Sequence, residues 1–270
     1  MLTTTKAISI FRRNMILATF VQMGLWGVVL ASLFLNVLPI GPVGSGTVLM
    51  IVAICIFVSF AFYIVKAAGL ESRSLALINS RQFKEAEANI EILLHRSLLI
   101  KTRSIANLYH LMLLRHSEKS WPDVVELSAI LVNQKSFART PFYRSMLLVR
   151  TEAMLETGNL NGAYSALIKL YEMRLSLVEA TNLLVLQLDY ESRIGAWESM
   201  LPANATYKRV QLAELLPSLK AARAQGLMAL AAQKLGRSDW CQWLTRRAHL
   251  LVGHGDLIAD RPILAELSNS

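Results

Sequence analysis

The sequence predicts an all-α protein in which two membrane-spanning helices precede a stack of about five helix pairs. Three observations predict it. No residue between Arg13 and Lys66 is charged, and Leu, Val, Ile and Phe dominate that stretch. From Gly69 onward apolar residues recur at helical spacing and strand signals are nearly absent. Within this second region a helix–turn–helix pattern returns at intervals of 37 to 43 residues.

The apolar stretch is taken first. A helix needs ~20 apolar residues to cross the hydrocarbon core. Spans are expected over about 14–38 and 48–65, joined by Pro39-Ile40-Gly41-Pro42-Val43-Gly44-Ser45-Gly46, which is uncharged and rich in helix breakers. Lys6, Arg12 and Arg13 precede the first span, and Lys66, Arg73 and Arg81 follow the second. The positive-inside rule then places both termini in the cytoplasm. A cleaved signal peptide is the competing reading. The apolar region is too long for one, and no small-x-small cleavage site follows it. Gln22 and the Gly27/Ala31 spacing suit close packing between the two spans. No ionisable residue lies in either span, which argues against an ion pathway. The expected organisation is thus an anchor over 1–68 and a cytoplasmic domain over 69–270, in a multi-pass protein of a bacterial-type inner membrane.

Composition agrees with that division. The chain is 54% hydrophobic, with a mean hydropathy of +0.40. From Lys66 onward 25 basic residues face all 19 acidic ones. This excess is scattered, without the concentrated basic face and aromatic support of a nucleic-acid interface. No nucleic-acid partner is expected. Cys55 and Cys241 lie far apart in sequence, one in the second span and one deep in the repeats, so no disulfide framework is implied.

The repeats show in short segments. Leu77-Ile78-Asn79-Ser80-Arg81-Gln82-Phe83-Lys84-Glu85-Ala86 reads as a helix end, a polar turn, an aromatic residue and then a small one. Met154 to Ala163 and Ala232 to Cys241 repeat that order, with Gly158 and Gly236 in their turns. Fainter copies centre on Trp121 and Trp197. The residues closing the five turns are Phe83, Trp121, Leu160, Trp197 and roughly Trp240, separated by 38, 39, 37 and 43 positions. A helix pair buries too little alone, so stacked pairs share a core, and small residues near the turn let the helices approach.

These positions resemble the tetratricopeptide-repeat (TPR) family over about Gly69 to Val252. In the first copy the matching residues are Ser74, Leu77, Phe83, Ala86 and Ile90. In the third they are Thr151, Met154, Gly158, Leu160, Ala163 and Leu167, and in the fifth Ala229, Ala232, Gly236, Cys241 and Ala248. The second and fourth copies depart from the pattern, because Arg115 and Glu191 stand where an apolar residue is expected. The period also exceeds the family's ~34 residues. Tyr207 to Leu216 reads as an inserted helix, and Asp256 to Leu267 as a short last helix covering the open end of the stack.

No chemistry-bearing constellation emerges. His95, His110, His116, His249 and His254 form no metalloprotease pair. His249, His254 and Asp256 are close in sequence, but a fourth ligand is missing. There is no phosphate-binding glycine loop and no GxSxG. Asn204-Ala205-Thr206 is a glycosylation sequon that a cytoplasmic location makes irrelevant. The chain is read as a non-enzyme with no catalytic residue, cofactor or metal.

The TPR resemblance implies a groove lined by the first helix of each pair. In the third copy that face offers Ser145, Leu148, Glu152, Leu155 and Glu156. The function expected is a membrane-anchored TPR-like scaffold or adaptor. Protein partners would be held in the groove and the bilayer by the hairpin, with other membrane subunits as further contacts. The alternative is an accessory structural subunit of a membrane enzyme complex.

Overall fold

The computed structural model describes residues 2–37, 54–55, 58, 72–97 and 100–269. The described residues form helices and no strand. The chain divides into two compact units, Met1–Thr140 and Pro141–Ser270.

The first unit contains α1 (Thr4–Val37), α2 (72–79), α3 (Phe83–Arg96), α4 (Lys101–Ser117), α5 (Trp121–Val132) and a short 3-10 turn at Phe137–Arg139. The second contains α6 (Phe142–Glu156), α7 (Leu160–Tyr171), α8 (Leu177–Arg193), the one-turn α9 (Trp197–Met200), α10 (Thr206–Glu214), α11 (Ser218–Lys234), α12 (Ser238–Leu251) and α13 (His254–Asp260). A 3-10 helix, Pro262–Asn269, follows.

Five helix pairs, α2/α3, α4/α5, α6/α7, α8/α9 and α11/α12, are closed by the same turn. Each turn holds one residue at positive φ: Arg81 (59°), Lys119 (58°), Gly158 (75°), Gly195 (71°) and Gly236 (68°). The next amide then donates to the carbonyl five residues back. Gln82 donates to Leu77 at 2.9 Å, Ser120 to Arg115 at 2.9 Å, Asn159 to Met154 at 2.8 Å, Ala196 to Glu191 at 2.9 Å and Arg237 to Ala232 at 2.8 Å. This bond caps carbonyls the ending helix leaves unpaired. The fifth second helix begins at Ser238, two residues before the expected Trp240. The positions expected to be small and packed are buried, among them Ser74, Ala86, Thr151, Ala163, Ala229, Ala232 and Ala248. Cys241 is half-buried at the edge of the second unit's core.

The expected transmembrane hairpin is corrected by the structure. Among the described residues no helix is long and apolar enough to cross a membrane. The first expected span begins at Asn14, inside α1, and the start of α1 is packed against protein. Ala7, Ile8, Phe11 and Ala18 are buried, and α1 lies against α3, α4 and α5. Asn14 is fully buried, its amide donating to the Leu94 carbonyl at 2.6 Å and the Ser97 hydroxyl at 3.3 Å. Lys6 pairs with Glu91 on α3 at 2.7 Å, which holds the Glu91 carboxyl below its ordinary value. This end of α1 therefore belongs to the first unit. The same finding corrects the location inferred from the hairpin, a multi-pass inner-membrane protein with both termini cytoplasmic. The expected turn at Pro39–Gly46 lies outside the described residues, as does the second span apart from 54, 55 and 58.

Arg115, an apparent defect of the second repeat, has a definite role. It is buried on α4, donating to the Glu87 and Glu118 carboxylates at 2.7 and 2.6 Å and to the Leu2 carbonyl at 2.6 Å. The Leu2 amide donates to Glu87 at 3.0 Å. One buried guanidinium thus fixes the segment leading into α1. On the same helix His110 is buried, and burial pushes its pKa from 6.5 down to about 4.

Nothing stands within 4 Å of a Cβ placed on Gly158, so Gly158→Ala should cost only the left-handed backbone penalty, about 1 kcal/mol. Lys119→Gly should stabilise by somewhat less than about 1 kcal/mol, since glycine relieves strain but adds unfolded-state freedom. Urea unfolding measures both. His110 is neutral in the folded state at pH values where the unfolded chain already takes up a proton. Stability should therefore fall as pH drops from 6.5 towards about 4, by up to about 3 kcal/mol. His110→Leu should flatten that part of the stability–pH curve.

Candidate functional site

The site is built on α6, α8 and α11, the first helices of the last three pairs. Each has a local reason to form. Pro141 precedes α6 and Pro217 precedes α11, where proline is tolerated because the first amides lack helical partners anyway. At the start of α8, Ser176 and Glu179 form a capping box with bonds of 3.3 and 2.7 Å. α8 is rich in leucine and α11 in alanine, which lets α12 and α8 come close to α11. α6 packs on α8, and α8 on α11.

Charged side chains from these three helices meet in the interior. Asp189 on α8 is 2% exposed. Its Oδ2 accepts from Arg223 of α11 at 3.0 Å and from Arg261, which follows α13, at 2.7 Å. Its Oδ1 accepts from Arg193 at 3.4 Å. Arg261 also reaches Glu156 of α6 at 2.5 Å. Arg193 donates to Glu156 at 3.4 Å and to the Leu155 carbonyl at 2.7 Å. Arg223 stands 3.7 Å from Glu152 and 3.9 Å from Asp260. Four carboxylates and three guanidiniums from α6, α8, α11 and the chain after α12 thus share one centre.

Electrostatics set their balance. Burial pushes the Asp189 carboxyl above its ordinary value, against the pull of Arg223 and Arg193. Burial likewise pushes Glu156 up, opposed by Arg193. Removing water is expensive for each charge, and the guanidinium forks offset that cost only while every partner is in place. Chemically the centre grips the Arg261 guanidinium between carboxylates of two different helices.

The segment carrying Arg261 has its own seat. Leu257 and Leu264 are 2% and 1% exposed. A Cβ at Gly226 of α11 would stand 3.0 Å from a Leu264 methyl and 3.6 Å from a Leu257 methyl. The segment approaches the α11 backbone so closely that a Cβ there would require the Leu264 methyl to give by a few tenths of an ångström.

Of the five groove residues expected from sequence, Glu152 and Glu156 belong to this centre. Ser145 and Leu148 are half-buried on α6 and make no part of it, while Leu155 is fully buried in the core. Sequence reasoning missed Asp189, Arg193, Arg223 and Arg261. A partial signal existed: Asp189 and Arg193 stand four residues apart on the leucine-rich α8, and Arg223 stands on the alanine-rich α11. Glu191, the other apparent defect, is buried and paired with Arg209 of the inserted α10 at 3.6 Å.

Two other features flank α12. Tyr207, Trp240 and Trp243 pack edge to face with ring centroids 4.9 to 6.3 Å apart, beside an open cleft of about 230 Å³, and Arg247 lies 4.9 Å over Trp243. His249 and His254 share a ring-nitrogen contact of 3.0 Å. Among the described residues no group of three or more His, Cys, Asp and Glu is placed to hold a metal.

No known protein family, curated protein or solved structure matches the chain.

Arg223 is the guanidinium that links α11 to α8 and α6. Arg223→Met keeps much of its volume and leaves Asp189 one partner short. It should destabilise the protein by about 3 kcal/mol in urea unfolding.

Proposed function

We propose that the protein is a TPR-like helical-repeat scaffold that binds protein partners along the face formed by α6, α8 and α11. The observation that carries this reading is the alignment of first helices from three successive pairs, with Ser145, Leu148, Glu152 and Glu156 of α6 only half-buried. Such a face suits an extended or helical segment of a partner, held by alternating charge and apolar contacts. Repeat arrays of this kind supply binding surface, and the α6 face is where Ser145, Leu148, Glu152 and Glu156 lie.

A second reading, an accessory structural subunit of an enzyme complex, is favoured by a different observation. Along α1, Ile16, Phe20, Met23, Trp26 and Leu30 are each more than half exposed. A large exposed apolar surface suits burial by a permanent partner.

Affinity purification of the tagged full chain separates the two. The full chain is required because α1 is packed on α3 and α4. The comparison protein carries Ser145→Arg and Leu148→Asp, both on half-buried positions outside the ionic centre. A protein recovered with the wild type and lost from a folded variant supports the scaffold. Recovery unchanged by the variant, at fixed stoichiometry, supports the accessory subunit and sinks the groove.

A further inference from the structure

We propose that the cleft walled by Tyr207 of α10 and by Asp239, Trp240 and Trp243 of α12 binds a trimethylammonium group. The site lies apart from the α6 face and goes beyond the scaffold reading.

The three rings and Asp239 together line a cleft of about 230 Å³. The ring planes are inclined at 62° between Tyr207 and Trp240, 61° between Tyr207 and Trp243, and 89° between Trp240 and Trp243. A group in the cleft is therefore bordered by aromatic rings set at steep angles to one another. Trp240 packs on the core of the second unit, whereas Tyr207 is 66% and Trp243 37% exposed. Tyr207 is not needed to seat α10, which packs on α8 and α11 with Val210 and Ala213 buried. Two large rings are thus left standing at the mouth of one cleft.

The electrostatics of this surface call for a cation. The face of an aromatic ring is negative, and the Arg247 guanidinium already lies 4.9 Å over Trp243. That charge is answered by Glu214, and Arg247 does not line the cleft. Asp239 stands four residues before Trp243 and Arg247 four after, so both flank the ring along one face of α12. Asp239 is exposed, and among the described residues nothing pairs with its carboxylate. The cleft therefore carries one unanswered negative charge beside three rings.

The kind of cation follows from what the wall lacks. A primary ammonium or a guanidinium has several N–H groups to satisfy, and Asp239 is the one charged acceptor on the wall. A trimethylammonium has no N–H, and its methyl groups carry the charge onto the rings. The cleft is smaller than the about 300–1,000 Å³ of pockets that enclose a whole drug-sized ligand. It takes the head group and leaves the remainder of the ligand in water.

The test titrates choline into the full chain and follows saturation transfer from the protein to the choline methyl protons by NMR. Saturable binding with a dissociation constant of about a millimolar is expected, the strength of a few exposed cation–π contacts. The neutral isostere, with a tert-butyl group in place of the trimethylammonium, should bind at least about tenfold more weakly. This comparison uses the wild type alone and stands whether or not any variant folds. Tyr207→Leu keeps an apolar side chain without the ring, and Asp239→Asn keeps the shape without the charge. Both positions are exposed, and each substitution should weaken choline binding about threefold or more.

Glycerophosphocholine titrated alongside separates the sources of the group. Binding tighter than that of choline assigns the cleft to a choline headgroup, any weaker binding assigns it to a free solute, and both support the site. Absence of saturable choline binding overturns the inference. So does choline binding that the neutral isostere matches, or that both substitutions leave unchanged. The cleft is then an apolar dent, and its rings only brace α10 against α12.

Discussion

One backbone position at positive φ closes each of five tight helix–turn–helix links among the described residues of this chain. The positions are 81, 119, 158, 195 and 236, and each is followed by the same amide-to-carbonyl bond. Everything else in the fold depends on it. The reversal sets which faces of a pair meet, and so which positions must be small. It also leaves the first helices free to line up beside one another, as α6, α8 and α11 do within the second unit. Glycine fills three of the five positions. Arg81 and Lys119 fill the others, which shows that the tertiary packing of the first unit imposes the turn without the residue best suited to it.

A second rule governs where the repeat pattern breaks. Arg115, Glu191 and Asp189 are buried charges on the first helices of pairs. Each holds a segment that belongs to no repeat. Arg115 holds the chain around Leu2, Glu191 holds Arg209 of the inserted helix, and Asp189 holds Arg261. An apolar patch would grip such additions without regard to register. A buried charge accepts only the partner that completes it, because any other leaves it desolvated and unpaired. Within each unit the departures from the repeat are therefore the devices that specify its decorations.

Much of this was legible in the sequence. The all-α class, the turn positions of the first four pairs, the inserted helix and the packed small residues follow from periodicity and from glycine and proline placement. The fifth turn falls at the expected Gly236, and only the helix after it starts two residues ahead of the expected Trp240, at Ser238. The transmembrane hairpin failed for a physical reason. A long apolar run fits both lipid and a protein interface, and composition alone cannot distinguish them. The burial of Asn14 against the Leu94 carbonyl is invisible until α3 is in place. The ionic centre was half legible. Glu152 and Glu156 fell on the right face of α6, whereas Arg261 lies 72 positions from Asp189, and no local pattern announces a contact of that range.

The most direct test of this account is a double-mutant cycle between Asp189→Asn and Arg261→Gln, read by urea unfolding of the full chain. If Arg261 completes the charge of Asp189, the two substitutions together should cost at least about 1 kcal/mol less than the sum of each alone. Costs that simply add would mean that the two side chains do not interact, and that the segment after α12 is held by its leucines without regard to charge.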